Sequence, residues 1–136
     1  MATNQKNTVY DTKNNTTVKR QLGKNGPLVS PIGLGAMGMS AFYTTNTTSD
    51  DENLKVLNAA IDMGCTFWDT ADIYGPFTNE ELIAKVLKTR RNEVFICTKF
   101  ALRVVDNKRE ICGKPEYVKE ACNDSLKRLG IDQIDL

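Results

Sequence analysis

The chain has 136 residues, 40% hydrophobic and 26% charged, which suits one soluble domain with a packed core. Its 18 basic and 17 acidic side chains leave a formal charge of +1, without the basic excess that nucleic-acid or anionic-membrane binding usually needs. No apolar run approaches the roughly 20 residues of a membrane helix, and Met1–Arg20 lacks the apolar core of a secretory signal, so a cytoplasmic location is expected.

Residues 1–17, rich in Asn, Thr and Lys, read as a disordered lead-in to a domain spanning 18–136. Val18–Leu22 and Pro27–Ser30, joined by a Gly-Lys-Asn-Gly turn at Gly23–Gly26, predict a β-hairpin. Residues 32–37 predict a short strand, followed by a polar loop. Ser49 with Glu52 forms a capping-box pattern, and Leu54, Leu57 and Ile61 recur at helical spacing up to Gly64, which suits a position just past a helix. Cys65–Asp69 predicts the next strand. The plan then repeats. Thr78 and Glu81 read as a second capping box, Leu82, Ile83, Val86 and Leu87 as its apolar stripe, and Val94–Thr98 as a strand. Pro115 suits the first turn of a third helix, striped by Val118, Cys122, Leu126 and Leu129 and closed by Gly130. Ile131–Leu136 reads as the start of a fourth strand.

Strict strand–helix alternation argues for a parallel sheet with helices packed outside it. The sheet either closes into a (β/α)8 barrel or stays open and doubly wound. A closed barrel takes about 250 residues, so the chain supplies roughly three and a half of its eight units.

The four cysteines, Cys65, Cys97, Cys112 and Cys122, form no C-x-x-C pair, and no histidine is present to complete a zinc site. No metal site is expected. Buried reduced thiols are the reading for these residues.

Gly33-Leu-Gly35-Ala-Met-Gly38 is a literal G-x-G-x-x-G. A dinucleotide-binding turn needs a helix starting directly on it and an acidic residue about 20 positions later at a strand end. The predicted helix starts only after Ser49, and Asp50 and Asp51 fall in its cap, so the pattern reads better as a glycine-rich strand exit.

A stronger signal lies at the strand ends. In a parallel α/β sheet the strand C-termini face the active site. Asp69 and Lys99 end neighbouring predicted strands, and Tyr74 follows Asp69 in a loop closed by Gly75-Pro76. A tyrosine, with a pKa near 10, is a poor proton donor at neutrality. An adjacent ammonium favours its phenolate, and a carboxylate holds the ammonium in place. Such a set can protonate a carbonyl oxygen while hydride reaches its carbon. On spacing alone, a strand-end salt bridge beside an exposed loop tyrosine is an equal reading.

Val29–Met39, Phe67–Gly75, Val94–Lys99, Pro115–Val118 and Ser125–Leu136 closely resemble the aldo-keto reductases, in the family's order and spacing. The pattern is nearest the subgroup with perakine, pyridoxal and aryl-alcohol reductases. The resemblance implies a partial (β/α)8 barrel and NADP(H)-dependent reduction of an aldehyde or ketone. It implies Tyr74 as general acid and Lys99 as the residue that tunes it. Asp69 would be the partner of Lys99 and a contact to the nicotinamide ribose. Gly35, Ala36 and Met37 would line the cofactor pocket. Asp72, inside the motif, carries low weight as a pocket or loop residue. The family's fourth catalytic member, a histidine past the Ile-Asp-Leu stretch, is not among these residues. Lys114 stands where relatives have a better helix cap. Two alternatives stay open: a truncated product without turnover of its own, and an accessory or binding module. For the chain as given the expectation is no turnover, with self-association through open sheet edges.

Overall fold

The computed structural model describes residues 10–11, 16–40 and 49–136. Of the expected lead-in, residues 1–9 and 12–15 lie outside the described residues, as do 41–48 of the polar loop. β1 (Tyr10–Asp11) pairs antiparallel with β2 (Thr16–Thr17).

The predicted hairpin forms from β3 (Arg20–Gln21) and β4 (Leu28–Val29), with Arg20 opposite Val29. Its exit is anchored by Ser30, which is 3% exposed. The Ser30 hydroxyl accepts from the backbone N–H groups of Thr66 (3.1 Å) and Phe67 (3.0 Å) and donates to the Ile32 carbonyl (2.8 Å). The hairpin is thereby tied to the start of the central strand.

That strand, β6 (Phe67–Asp69), lies between β5 (Gly33–Gly35) and β7 (Phe95–Cys97), all parallel. Leu34, Trp68 and Ile96 are in register and face one way. They pack on α1 (Asp50–Asp62) and α2 (Thr78–Arg90) through Leu57, Ile61, Ile83 and Leu87. Trp68 is fully buried, and its indole N–H donates to the Cys65 carbonyl at 2.9 Å. On the opposite face Phe67 and Phe95 meet edge to face at 5.4 Å and stay half-buried. β5, α1, β6, α2, β7 and α3 (Pro115–Leu129) thus form an arc of alternating strand and helix, the arrangement that the expected partial barrel requires.

The Ser49 capping box is present in full: the side chain accepts from Glu52 N–H, and Glu52 accepts from Ser49 N–H at 3.0 Å. The second expected box is not. α2 is capped by Phe77, at φ 67°, with no side-chain cap bond, and the Thr78 hydroxyl turns back to the Gly75 carbonyl at 2.8 Å. The Gly75-Pro76 turn shifts the helix start by one residue, so Thr78 occupies the first helical position. Pro115 and Gly130 bound α3 as predicted, with Gly130 at φ 66°. The buried residues of α3 are Ala121, Ser125 and Leu129, whereas Val118 and Leu126 are half-buried and Cys122 is exposed. On the same helix Arg128 donates from Nε to the buried Glu80 of α2 at 2.6 Å. Cys122 is not a buried thiol; Cys97 and Cys112 are, and Cys65 is half-buried.

Two further differences appear. A hairpin, β8 (Leu102–Val105) with β9 (Lys108–Ile111), interrupts the link from β7 to α3. Both turn residues, Asp106 and Asn107, have positive φ, the conformation a two-residue hairpin turn favours. The 131–136 segment lies against β7 without a regular ladder. Asp135 N–H donates to the Ile96 carbonyl (3.1 Å) and Thr98 N–H to the Leu136 carbonyl (3.1 Å). The Asp135 carboxylate takes the Ile96 N–H at 2.7 Å, in place of the backbone carbonyl that a strand would supply. Among the described residues, no helix is long and apolar enough to cross a membrane.

Candidate active site

The exits of β5, β6 and β7 stand side by side because the strands are parallel and in register. Gly35 is opposite Asp69, and Asp69 is opposite Cys97. Lys99, two residues past Cys97, therefore returns to the face of Asp69. Its ammonium donates to Asp69 Oδ2 at 2.7 Å and to the Thr70 carbonyl at 2.7 Å. The same nitrogen lies 5.0 Å from the centre of the Tyr74 ring. Tyr74 is half-buried, in a loop held by its own N–H on the Ala71 carbonyl (3.2 Å) and by Asp72 N–H on the Lys99 carbonyl (3.0 Å).

The three residues that the sequence singled out are thus brought together. Burial works against the Lys99 charge, but hydrogen bonds and charge interactions with Asp69 and Tyr74 outweigh it and hold its pKa above the ordinary lysine value. Asp69 and Lys99 are both about half exposed, so this ion pair contributes little to folding. Its worth is in placing a positive charge beside a phenol.

Gly35, Ala36 and Met37 lie at the same end of the sheet. Gly35 is exposed, with open space where a side chain would stand. Ala36 is fully buried and donates from its N–H to the Asp69 carbonyl at 2.9 Å. Met37 opens a short 3-10 turn, Met37–Met39, rather than the helix of a dinucleotide-binding loop. A cleft of about 220 Å³ adjoins Lys99, lined mainly by Phe100, Val118, Ala121, Ile134 and Leu136.

The sequence reading missed the polar layer beneath these residues. Asn79 and Glu80 are fully buried. Asn79 bonds Thr70 and Ala36, and Glu80 accepts from the Thr98 hydroxyl (2.7 Å) and Arg128 Nε (2.6 Å). Asp72 is 5% exposed, and its Oδ1 is a buried oxygen without a hydrogen-bond partner among the described residues. Burial, then the Glu80 charge, push its pKa up against the Ile73 backbone hydrogen bond and the charge of Arg128. A signal for the layer did exist. Glu80, Ile83 and Leu87 fall at i, i+3 and i+7, so the glutamate sits on the core face of α2.

Comparison with known proteins gives a consistent outcome. The sequence model described as "Aldo/keto reductase family" matches residues 31–136. The chain is 48% identical over 124 residues to the aldo-keto reductase str7 of Strobilurus tenacellus, covering 86% of this chain and 34% of that protein. It is 43% identical over 121 residues to the aldo-keto reductase yakc [NADP(+)] of Schizosaccharomyces pombe, again covering 86% of this chain and 34% of the relative. The chain therefore spans about a third of the length of these curated relatives. The solved structure of aldo-keto reductase AKR11C1 from Bacillus halodurans, in its holo form, superposes with a TM-score of 0.71 at 34% identity, covering 85% of this chain and 37% of that one. With three strand exits converging on Asp69, Tyr74 and Lys99, and a family match running from residue 31 to 136, the chain belongs to the aldo/keto reductase family.

Proposed function

We propose that this chain carries the proton-transfer half of an NADP(H)-dependent oxidoreductase site that reduces an aldehyde or ketone to an alcohol. One observation carries the reading: the Lys99 ammonium sits between Asp69 Oδ2, at 2.7 Å, and the Tyr74 ring, at 5.0 Å from its centre. The Tyr74 hydroxyl gives its proton to the carbonyl oxygen as negative charge develops there. The charge left on the phenol is stabilised by Lys99, and Asp69 with the Thr70 carbonyl keeps the ammonium in place.

The residues present fit a nicotinamide cofactor. Gly35 offers a shelf free of any side chain beside Asp69, and with Lys99 on Oδ2, Oδ1 of Asp69 remains an acceptor for a ribose hydroxyl. Gly35, Ala36, Met37 and Asp69 would form this part of the pocket. The bound cofactor supplies the hydride. The NADP(+) in the name of the Schizosaccharomyces pombe relative supports that choice. The small-molecule partner is a carbonyl compound.

The test joins this chain to the remaining two thirds of the Schizosaccharomyces pombe relative and follows NADPH absorbance with a panel of aldehydes. The fusion is expected to turn over, and Tyr74→Phe to lower kcat by roughly 10²–10⁴-fold, the range for a positioned general acid. The 136-residue chain alone is expected to be silent. An active fusion that is indifferent to Tyr74→Phe would refute the assignment.

A further inference from the structure

Asn79 has no exposed surface, yet its side chain is an amide in the first turn of α2. Burying an amide is unfavourable unless its hydrogen bonds are made, and here they are. Oδ1 accepts from the Thr70 hydroxyl at 2.6 Å. Nδ2 donates to the Ala36 carbonyl at 2.9 Å and to the Ser40 hydroxyl at 2.6 Å. A leucine would fill similar space without the desolvation penalty, so the amide supplies orientation rather than bulk.

The partners show what is oriented. Ala36 directly follows β5 and donates its own N–H to the Asp69 carbonyl at 2.9 Å. Thr70 follows Asp69 at the end of β6, and its carbonyl is the second oxygen on the Lys99 ammonium. Asp69 supplies the first. Both oxygens that hold Lys99 thus belong to consecutive residues linked to Asn79: Thr70 directly, through its side-chain hydroxyl, and Asp69 indirectly, through Ala36, whose N–H its carbonyl accepts.

We propose that Asn79 is a positioning residue: its buried carboxamide locks the exits of β5 and β6 so that Asp69 and the Thr70 carbonyl form a two-oxygen seat for Lys99. The catalytic meaning of the seat rests on the reductase reading; its existence does not. Asn79 touches none of the expected reacting groups and acts through Thr70 and Ala36.

The test measures how protected Lys99 is. The folded chain is treated briefly with a water-soluble acetylating ester, and acetylation at each lysine is quantified by peptide mass spectrometry. Lys85, which is 51% exposed and paired with Asp50 at 2.6 Å, is the internal reference. Thr70→Val removes the hydroxyl that Asn79 holds, and the Lys99-to-Lys85 ratio is expected to rise about fivefold, the factor for one lost hydrogen bond. Thr70→Ser keeps the hydroxyl and should restore the original ratio. Asn79→Leu should match Thr70→Val; if it does not fold, the Thr70 pair decides. Arg90→Gln, which breaks ion pairs with Asp62 and Glu93 away from the strand exits, controls for general loosening. An unchanged ratio in Thr70→Val, or an equal rise in Arg90→Gln, overturns the proposal. Acetylation requires neither cofactor nor carbonyl, so failure of the reductase reading would leave this outcome intact.

Discussion

Removing the Glu80 carboxylate should be among the most damaging single changes in the chain. Glu80 has no exposed surface, and Arg128 is only 17% exposed. Oε2 accepts from Arg128 Nε at 2.6 Å and Oε1 from the Thr98 hydroxyl at 2.7 Å. Glu80→Ala leaves a guanidinium mostly out of water, with the Ser125 hydroxyl (3.1 Å) and the Phe77 ring (4.7 Å from its centre) as its remaining company. Breaking one side of a buried pair costs about 3–5 kcal/mol, of which the orphaned Thr98 hydroxyl accounts for about 1 kcal/mol. Total stability for a domain of this size is about 5–15 kcal/mol, so the loss is large but measurable by urea unfolding at low temperature. Replacing both partners, Glu80→Leu with Arg128→Met, leaves no uncompensated charge and should recover most of the loss. Asp50→Ala breaks an ion pair that is more than half exposed on both sides and should change stability by less than about 1 kcal/mol. The reasoning fails if the Glu80 and Arg128 effects add to within about 0.5 kcal/mol in the double-mutant cycle.

Other consequences concern the loop, the acid and the thiols. Gly75 has φ 83°, and a Cβ there would stand 2.1 Å from Thr78 Oγ1 and 3.0 Å from Ser40 Cβ. Gly75→Ala should therefore cost about 2 kcal/mol in thermal or urea unfolding, from left-handed strain and loss of the Thr78 hydrogen bond; a neutral effect would contradict the turn. The folded protein holds the Asp72 proton more tightly than the unfolded chain does, chiefly through burial. The stability from this group is complete below the unfolded value of 3.8 and declines as pH rises through the higher folded value. Asp72→Asn should accordingly gain on the parent as pH rises from about 4 to 7, and urea midpoints showing a constant gap would count against the shift. Burial, aided by the charges of Asp69 and Asp135, pushes the Cys97 thiol up to about 11. At pH 8 only about one part in a thousand is thiolate, so iodoacetamide should modify the exposed Cys122 well before Cys97, and equal rates would contradict the assigned burial.

The parts of the fold that were legible in the sequence have one buried side or one obligatory turn. α1 announced itself through Ser49, Glu52 and the Leu57–Ile61 face, and these residues perform the expected roles. The β8–β9 hairpin did not. Leu102, Val104, Val105 and Ile111 are all exposed, and Val104 and Val105 are adjacent rather than alternating. No core selects one face of that ribbon, so no period-two pattern is imposed on it. The 131–136 segment pairs with β7 only at its end, where Leu136 N–H donates to the Ile96 carbonyl and Thr98 N–H to the Leu136 carbonyl; just before that, the Asp135 side chain takes the Ile96 N–H that would otherwise extend the pairing.

The candidate site divides along the same line. Asp69, Tyr74 and Lys99 were legible because the end of a strand is a fixed place in a parallel sheet, and two residues of alternation decide which side chains meet there. The layer that holds them was hidden because Asn, Glu and Thr in a first helical turn are also the residues that cap helices in water. Local propensity satisfies the Thr78–Glu81 pattern equally well in either way. What separates the two is tertiary. Ala36 comes from 43 residues away and Arg128 from 48 to meet Asn79 and Glu80. Once those partners arrive, a buried amide and a buried carboxylate at the start of α2 become tolerable, and the helix start is committed to fastening strand exits instead of meeting solvent. Asp69, Tyr74 and Lys99, the set expected to move a proton, therefore all keep some exposed surface, and the residues that hold them, Asn79 and Glu80, are buried beneath.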